Sequence, residues 1–340
     1  VKLIEKKTVA GLVEWLDTPS DIVLTTHQNP DGDAVGSLLA MYGFLIKKGH
    51  HVTPIIPNEF PDFLQWLPGK EAVIDYTKQK ERADIMIRQA KIIIFLDYND
   101  YKRGAEMQHV LAAASAFKIM IDHHPAPRLE ANVAISVTEA GSTCELVYEV
   151  IEALEHHHLI DKNVATCIYT GIMTDTGNFS YSSSRPRTFE VVARLLERGI
   201  DKDEISHNVF DNYSEYRMRF LGFCLNEKMQ VFHKYHTAFM AITMAEQERF
   251  KFNTGDSEGF VNFPLSIKGI CFTAFFTERK DKVKISFRSR GNFAANAFAE
   301  ANFGGGGHLN AAGGESYLPL NETIQKFIDL LPQYEKALNA

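Results

Sequence analysis

The chain has little cysteine and uses it sparsely: Cys144, Cys167, Cys224 and Cys271 stand singly among 340 residues, with no CxxC pair. That pattern excludes a disulfide framework and a structural thiolate zinc site, and it fits a reducing compartment. Long apolar runs are also missing. The longest, such as "IIIFL" at 92–96, are strand-sized, and no basic segment followed by an apolar core opens the chain. Neither membrane spanning nor secretion is expected, and the cytoplasm is the expected location. Finally, there is no excess of positive charge, with 36 Lys and Arg against 43 Asp and Glu and a formal charge of -7. A protein devoted to wrapping long nucleic acid draws its affinity from many Lys and Arg. Small phosphorylated ligands remain open, because one local cationic centre, such as a bound metal, can hold them.

What is present is an ordinary apolar fraction, 45 % of the residues, on a chain longer than one core usually serves. Two domains are therefore expected. The first half alternates strand-like and helix-like patterns. "DIVLTTH" (21–27) reads as a strand, "AVGSLLAMYGFLIKKG" (34–49) as a helix stopped by Gly49, and "HVTPIIP" (51–57) as the next strand. Strands at "KIIIFLDY" (91–98), "FKIMIDHH" (117–124) and "ANVAISV" (131–137) follow, with helices near 104–114, 144–155, 161–173 and 185–199. Such alternation predicts an α/β fold with a parallel sheet. A helical connector is expected at 196–215. Beyond it, "MQVFHKYHTAFMAITM" (229–244), "GICFTAFFTER" (269–279) and "KVKISFRSR" (282–290) are strand-like, with helices at 292–305 and near 321–331. The expected organisation is thus an α/β domain over 1–195, the connector, and a smaller mixed α/β domain over 216–340, with the active site in the cleft.

The segment "HQNPDGDAVGS" (27–37) places His27, Asp31 and Asp33 within seven residues directly after an apolar strand. Alone it reads equally as an Asp-rich turn or as part of a metal site. Acidic and imidazole residues recur at other strand ends, however. Asp97 closes "IIIFL", Asp122, His123 and His124 close "KIMI", and Asp175 follows an apolar helix in "GIMTDTGNF". In a parallel sheet the carboxyl ends of the strands lie along one edge, where ligands bind. Up to five carboxylates and three imidazoles would collect there, a costly arrangement unless cations offset it. The oxygen and nitrogen donor set suits a divalent ion such as Mn²⁺, and six or seven ligands are too many for one catalytic ion. Two ions, which can clamp a phosphate, point to hydrolysis of a phosphate ester or anhydride.

The second domain couples Arg288 and Arg290, on one face of a strand, to a glycine run, Gly304, Gly305, Gly306 and Gly307, followed by His308. Backbone amides in such a run and paired guanidinium groups suit an anion, although glycines also serve close packing. Other candidates have simpler readings. His156, His157 and His158 read as a solvated helix end, and Ser142 or Thr143 as a helix cap or, since they face the same edge, as a substrate contact. Arg185 and Arg187 read as surface or substrate residues, and Asp100 and Arg103 as a mutual pair.

Taken together, "HQNPDGDAVGS", "FLDYND" (95–100), "DHH" (122–124), "GIMTDTGNF" (171–179) and "FGGGGHLNAAGG" (303–314) resemble the DHH phosphoesterases with a DHHA1 second domain. The likeness is to the subgroup that degrades very short RNA and dephosphorylates 3'-phosphoadenosine 5'-phosphate. The resemblance implies that His27, Asp31 and Asp97 hold one Mn²⁺ and that Asp33, Asp97, His123 and Asp175 hold a second, with Asp97 bridging and Mg²⁺ or Co²⁺ as substitutes. It makes Asp122 a partner of the imidazoles and His124 a donor or acid at the scissile phosphate. Arg288, the glycines at 304–307 and His308 would hold the nucleotide. It implies an enzyme acting on short single-stranded oligoribonucleotides and nucleotides, not on long duplexes or membranes, with a homodimer allowed. The alternatives are a phosphodiesterase for linear dinucleotides derived from cyclic ones and a non-catalytic nucleotide-binding or RNA-binding module.

Overall fold

The computed structural model describes residue 4 and residues 6–181, 183–253 and 255–339. The chain forms two compact units, Val1–Asn212 and Tyr213–Ala340. In the first, α1 (Lys6–Leu16), β1 (Asp21–Thr25), α2 (Gly32–Lys47), β2 (His51–Ile56), β3 (Ile74–Asp75), α3 (Lys80–Gln89) and β4 (Ile92–Leu96) follow one another. They continue with α4 (Gln108–Ala113), β5 (Phe117–Asp122), β6 (Val133–Ser136), α5 (Thr143–Ala153), α6 (Lys162–Asp175), α7 (Pro186–Leu196) and α8 (Lys202–Phe210). The six strands make one sheet in the order β3-β2-β1-β4-β5-β6. Every pairing is parallel. Strand order reverses between β1 and β4, the place where a crevice opens outside the strand ends.

Successive strand residues point to opposite faces, and both faces are covered. Ile22, Leu24, Ile92, Ile94, Leu96, Ile119 and Ile121 pack with Val35, Leu38, Leu146 and Ile168 of α2, α5 and α6. Val23, Ile93, Phe95 and Met120 pack on the other face with Ala83, Ile87 and Leu111 of α3 and α4. A strand buried on both faces has no polar alternation to show, which is why "IIIFL" reads as an unbroken apolar run.

The second unit runs α9 (Glu215–Phe223), β7 (Gln230–Phe232), β8 (Thr237–Ile242), α10 (Met244–Arg249), β9 (Phe272–Glu278), β10 (Val283–Ser289), α11 (Ala295–Phe303), β11 (Gly306–His308), β12 (Ala311–Ser316) and α12 (Leu320–Leu338). Its sheet has the order β11-β12-β10-β9-β8-β7. It is mixed, with β8 and β9 parallel and the other pairs antiparallel. Phe272, Phe276 and Phe287 of the sheet meet Phe298, Phe303 and Phe327 of α11 and α12 in an aromatic core.

The elements α1, β3, α3, α10, β11 and β12 have no counterpart in the sequence expectation, and three expected elements take a different form. The strand over 229–244 is two strands, parted by a helical turn at His233–Tyr235 and by His236 in the left-handed region at φ 47°. The helix near 104–114 begins only at Gln108, because Ala105 (φ 49°, ψ -128°) breaks the preceding 3₁₀ segment Tyr101–Met107. The last helix runs through Pro332 to Leu338, since Leu331 and Leu338 are buried and packing outweighs the lost backbone hydrogen bond.

Candidate metal centre

The acidic and imidazole residues of the first unit converge at the strand ends beside the β1–β4 reversal. His27 follows β1, and its Nδ1 lies 2.8 Å from the Gln28 carbonyl, which directs Nε2 to Asp97 Oδ2 at 3.2 Å. Asp31 is the N-cap of α2, accepting from the N–H groups of Asp33 and Ala34 at 3.1 and 3.0 Å through Oδ1. One donor atom from each of His27, Asp31 and Asp97 lies within 4.8 Å of the others.

Asp33, in the first turn of α2, is buried, and the N-terminus of α5 meets its carboxylate. Thr143 N–H donates to Oδ2 at 2.6 Å and Cys144 N–H to Oδ1 at 2.8 Å. Burial, reinforced by the carboxylates of Asp97 and Asp175, still pushes Asp33 well above the ordinary carboxylate range. Asp33, His123 and Asp175 form a second donor trio of the same closeness. His123 Nδ1 lies 3.3 Å from the Ala140 carbonyl, a contact that favours the proton on that nitrogen. Nε2 is then turned toward Asp175 Oδ2 at 3.4 Å, Asp97 Oδ1 at 3.5 Å and Asp33 Oδ2 at 3.7 Å.

Asp97 stands in both neighbourhoods, Oδ2 beside His27 and Oδ1 beside His123. Its backbone takes φ 56°, a left-handed conformation that costs a non-glycine residue about 1 kcal/mol or more. Thr143 Oγ1 donates to its Oδ1 at 2.9 Å. Burial opposes ionisation of Asp97, but His124 and His27 outweigh it and hold the carboxyl well below its ordinary range. His124 is fixed by Asp122, which accepts from its backbone N–H at 2.9 Å and lies 3.0 Å from its Nδ1. Burial works against charge on this ring too, yet Asp97 and Asp122 lift it to about 10.

Two mixed oxygen and nitrogen trios linked by one carboxylate are a donor set that divalent cations satisfy. The electrostatics agree: burial, together with the carboxylates of Asp97 and Asp175, displaces Asp33 from its ordinary acidity, and a cation beside it would offset both. The chemistry such a centre can perform is activation of water and neutralisation of phosphoryl oxygens.

Of the side chains that hold this cluster in place, the sequence reading named the cap of α5 and Asp122, but not the contacts of Thr143 or the role of Glu145. Ser142 caps α5, accepting from Glu145 N–H at 3.0 Å, while Thr143 makes the two contacts to Asp33 and Asp97. The fully buried Glu145 accepts from Gly141 N–H at 3.2 Å and Thr188 Oγ1 at 2.9 Å, and Arg185 pairs with it at 3.3 Å. Arg187 pairs with Glu149 and Glu152. Asp100 does not pair with Arg103; its carboxylate accepts from Lys102 N–H at 2.9 Å. Among the described residues, His156, His157 and His158 belong to no metal-ligating group.

In the second unit, Arg288 lies on β10 and its Nη1 donates to the Phe287 carbonyl at 3.0 Å. Gly304 ends α11 in the left-handed region, and Gly306, Gly307 and His308 form the edge strand β11. A Cβ at Gly305 would lie 1.8 Å from the Gly313 carbonyl oxygen, so close packing alone requires glycine there.

Comparison with known proteins identifies both units. The family profile described as "DHH family, N-terminal domain" matches residues 21–172, and the DHHA1 domain profile matches residues 233–337. The crystal structure of an exopolyphosphatase-related protein from Bacteroides fragilis superposes with a TM-score of 0.95 at 43 % identity, covering 100 % of both chains. The bifunctional oligoribonuclease and PAP phosphatase NrnA of Thermus thermophilus is 29 % identical over 98 % of this chain and 92 % of its own length. The Bacillus subtilis protein of the same name is 24 % identical over 90 % and 92 %.

Proposed function

Since the chain belongs to the DHH family and carries a DHHA1 domain, we propose that it is a Mn²⁺-dependent phosphoesterase that hydrolyses short oligoribonucleotides to nucleoside monophosphates and 3'-phosphoadenosine 5'-phosphate to AMP. The observation that carries this reading is the pair of donor trios joined by Asp97. Its substrate class follows the names of the two NrnA relatives.

His27, Asp31 and Asp97 are assigned to one ion, and Asp33, Asp97, His123 and Asp175 to the other. Two such ions supply Lewis acidity to the phosphoryl group and a water of lowered pKa. The protein's own work is orientation. Thr143 N–H and Cys144 N–H hold Asp33, Thr143 Oγ1 holds Asp97, and the Ala140 carbonyl sets the His123 tautomer. Asp122 fixes His124, which is assigned to donate a hydrogen bond or proton to the departing oxygen. From the second unit, Arg288, His308 and the glycines at 304–307 are assigned to the nucleotide and its terminal phosphate. The acidic net charge of -7 fits short substrates, because long RNA would need many more phosphate contacts.

The test is product analysis over time in Mn²⁺ with end-labelled RNA of two, five and twenty-four nucleotides, beside 3'-phosphoadenosine 5'-phosphate, pyrophosphate and tripolyphosphate. Fast loss of the dimer and pentamer to mononucleotides, with both inorganic substrates intact, is the expected result. Equal rates on the twenty-four-mer would refute the length preference. Preference for tripolyphosphate or pyrophosphate would move the protein to inorganic substrates.

A further inference from the structure

Arg103 lies six residues after Asp97, in the 3₁₀ segment Tyr101–Met107. Its backbone is held on both sides. The N–H donates to the Asp100 carbonyl at 2.9 Å, and the carbonyl accepts from Gln28 N–H at 2.6 Å, which ties the segment to the residue after His27. The segment is also shaped around Tyr98. That hydroxyl donates to the Tyr101 carbonyl at 2.9 Å, and a Cβ on Gly104 would lie 2.1 Å from it. Ala105 then takes φ 49° and ψ -128°, a conformation that L-residues adopt only when their surroundings impose it.

This rigid placement serves no visible internal bond. Nη1 of Arg103 is buried without a hydrogen-bond acceptor, and the residue forms no ion pair with a carboxylate among the described residues. Its charge reaches His124, where it opposes the neighbouring carboxylates. The other part-buried arginines of this unit behave differently, Arg185 being spent on Glu145, Arg187 on Glu149 and Glu152, and Arg198 on the His157 carbonyl. A buried guanidinium donor left unbonded is costly, and a guanidinium is the side chain best shaped for phosphoryl oxygens.

We propose that Arg103 binds the phosphoryl group of the substrate, Nη1 donating to a non-bridging oxygen at the His27, Asp97 and His124 end of the centre. This rests on the phosphoesterase reading above and adds to it a substrate contact from the first unit. The positive charge then meets the negative charge that grows on the phosphoryl oxygens as the ester bond breaks.

The experiment compares wild type, Arg103→Gln and Arg103→Lys, each loaded with Mn²⁺, in three measurements: Mn²⁺ stoichiometry, affinity for inorganic phosphate, and kcat/KM on a dinucleotide. Arg103→Gln is expected to keep its Mn²⁺ stoichiometry while phosphate affinity and kcat/KM each fall about 10- to 100-fold, the loss of one charge-assisted contact. Arg103→Lys keeps the charge but not the fork and is expected to fall about 3- to 10-fold; it decides the matter should the glutamine variant not fold. Phosphate affinity within twofold of wild type in the folded variants would overturn the proposal, as would loss of Mn²⁺ from them. Phosphate binding needs no turnover. If wild type cleaves no oligonucleotide while phosphate affinity still depends on Arg103, the substrate reading fails and this contact stands; if oligonucleotides turn over and phosphate affinity is unchanged in the variants, the contact fails and the substrate reading stands.

Discussion

Replacing Gly36 by alanine separates what helix propensity favours from what the site needs. Gly36 lies within α2, and a Cβ there would sit 2.7 Å from the Cys167 carbonyl oxygen and 3.1 Å from the Gly171 nitrogen, both backbone atoms of α6, and 3.0 Å from Cys144 Sγ. Ordinary contact needs about 3.4 Å, so α6 must retreat from α2 by roughly 0.7 Å, which no rotamer change can absorb. Overpacking of this kind costs about 2–3 kcal/mol, while the glycine-to-alanine change returns about 1 kcal/mol of helix propensity. The net loss is about 1–2 kcal/mol, or a fall in melting temperature of about 2–8 °C for a unit of this size. Because α6 also carries Asp175, Mn²⁺ affinity should weaken together with stability. Gly222→Ala in α9 is the control: nothing lies within 4 Å of its Cβ position, so the same substitution should stabilise by about 0.5–1 kcal/mol. Calorimetry of the purified variants, with and without Mn²⁺, reads both. A Gly36→Ala protein that melts at or above wild type would refute backbone contact between α2 and α6 at this point.

Asp97→Ala should abolish turnover and lower Mn²⁺ content more than any other single ligand change, because one carboxylate serves both trios; full activity in that variant would refute the shared site. Asp33 is raised in the metal-free fold, so its ionisation destabilises that fold as pH rises from the unfolded carboxylate value through the folded one. Mn²⁺ should therefore release protons on binding and raise the melting temperature more at pH 8 than at pH 5; an equal increment at both would refute the assignment. Cys144, Cys167 and Cys224 are buried, and burial pushes the last two to about 12. Only the part-exposed Cys271 should react with a thiol reagent at pH 8 before unfolding, and two or more fast thiols would contradict this packing. Ala105→Gly should stabilise the first unit by about 1 kcal/mol in denaturant unfolding, since glycine accepts φ 49°, ψ -128° without strain; an unchanged midpoint would show the strain to be relieved elsewhere.

The donors of the centre are legible in the sequence because a parallel sheet sends every strand end to one edge, so residues as distant as His27, Asp97 and His123 meet by topology alone. The parts that hold those donors are not legible. Thr143 reads as a helix cap because its contacts to Asp33 and Asp97 cross 110 and 46 residues of chain. Glu145 looks like an ordinary first-turn acid until α7 brings Arg185 and Thr188 against it. Asp100 and Arg103 suggest a local pair, and the backbone break at Ala105, which is shaped by Tyr98, leaves no trace in hydrophobic periodicity. Pro332 signals a helix end that buried Leu338 overrides. Local signals locate elements and ligands; the missing information lies in contacts that exist only after distant elements pack.

The spacing of the centre along the chain also bears on how the protein is made. Its donors run from His27 to Asp175, and the α5 amides that hold Asp33 come 110 residues after it. A nascent chain emerging from the ribosome at about 5–20 residues per second therefore exposes the first carboxylates many seconds before their partners exist. Until α6 has emerged, no segment offers more than a loose group of weak ligands, and a cation captured early can exchange freely. On the proposed two-metal reading, metal selection is thereby deferred to the moment the sheet closes, when the rigid geometry of the finished edge, and no longer the affinity of a flexible peptide, would decide which ion stays.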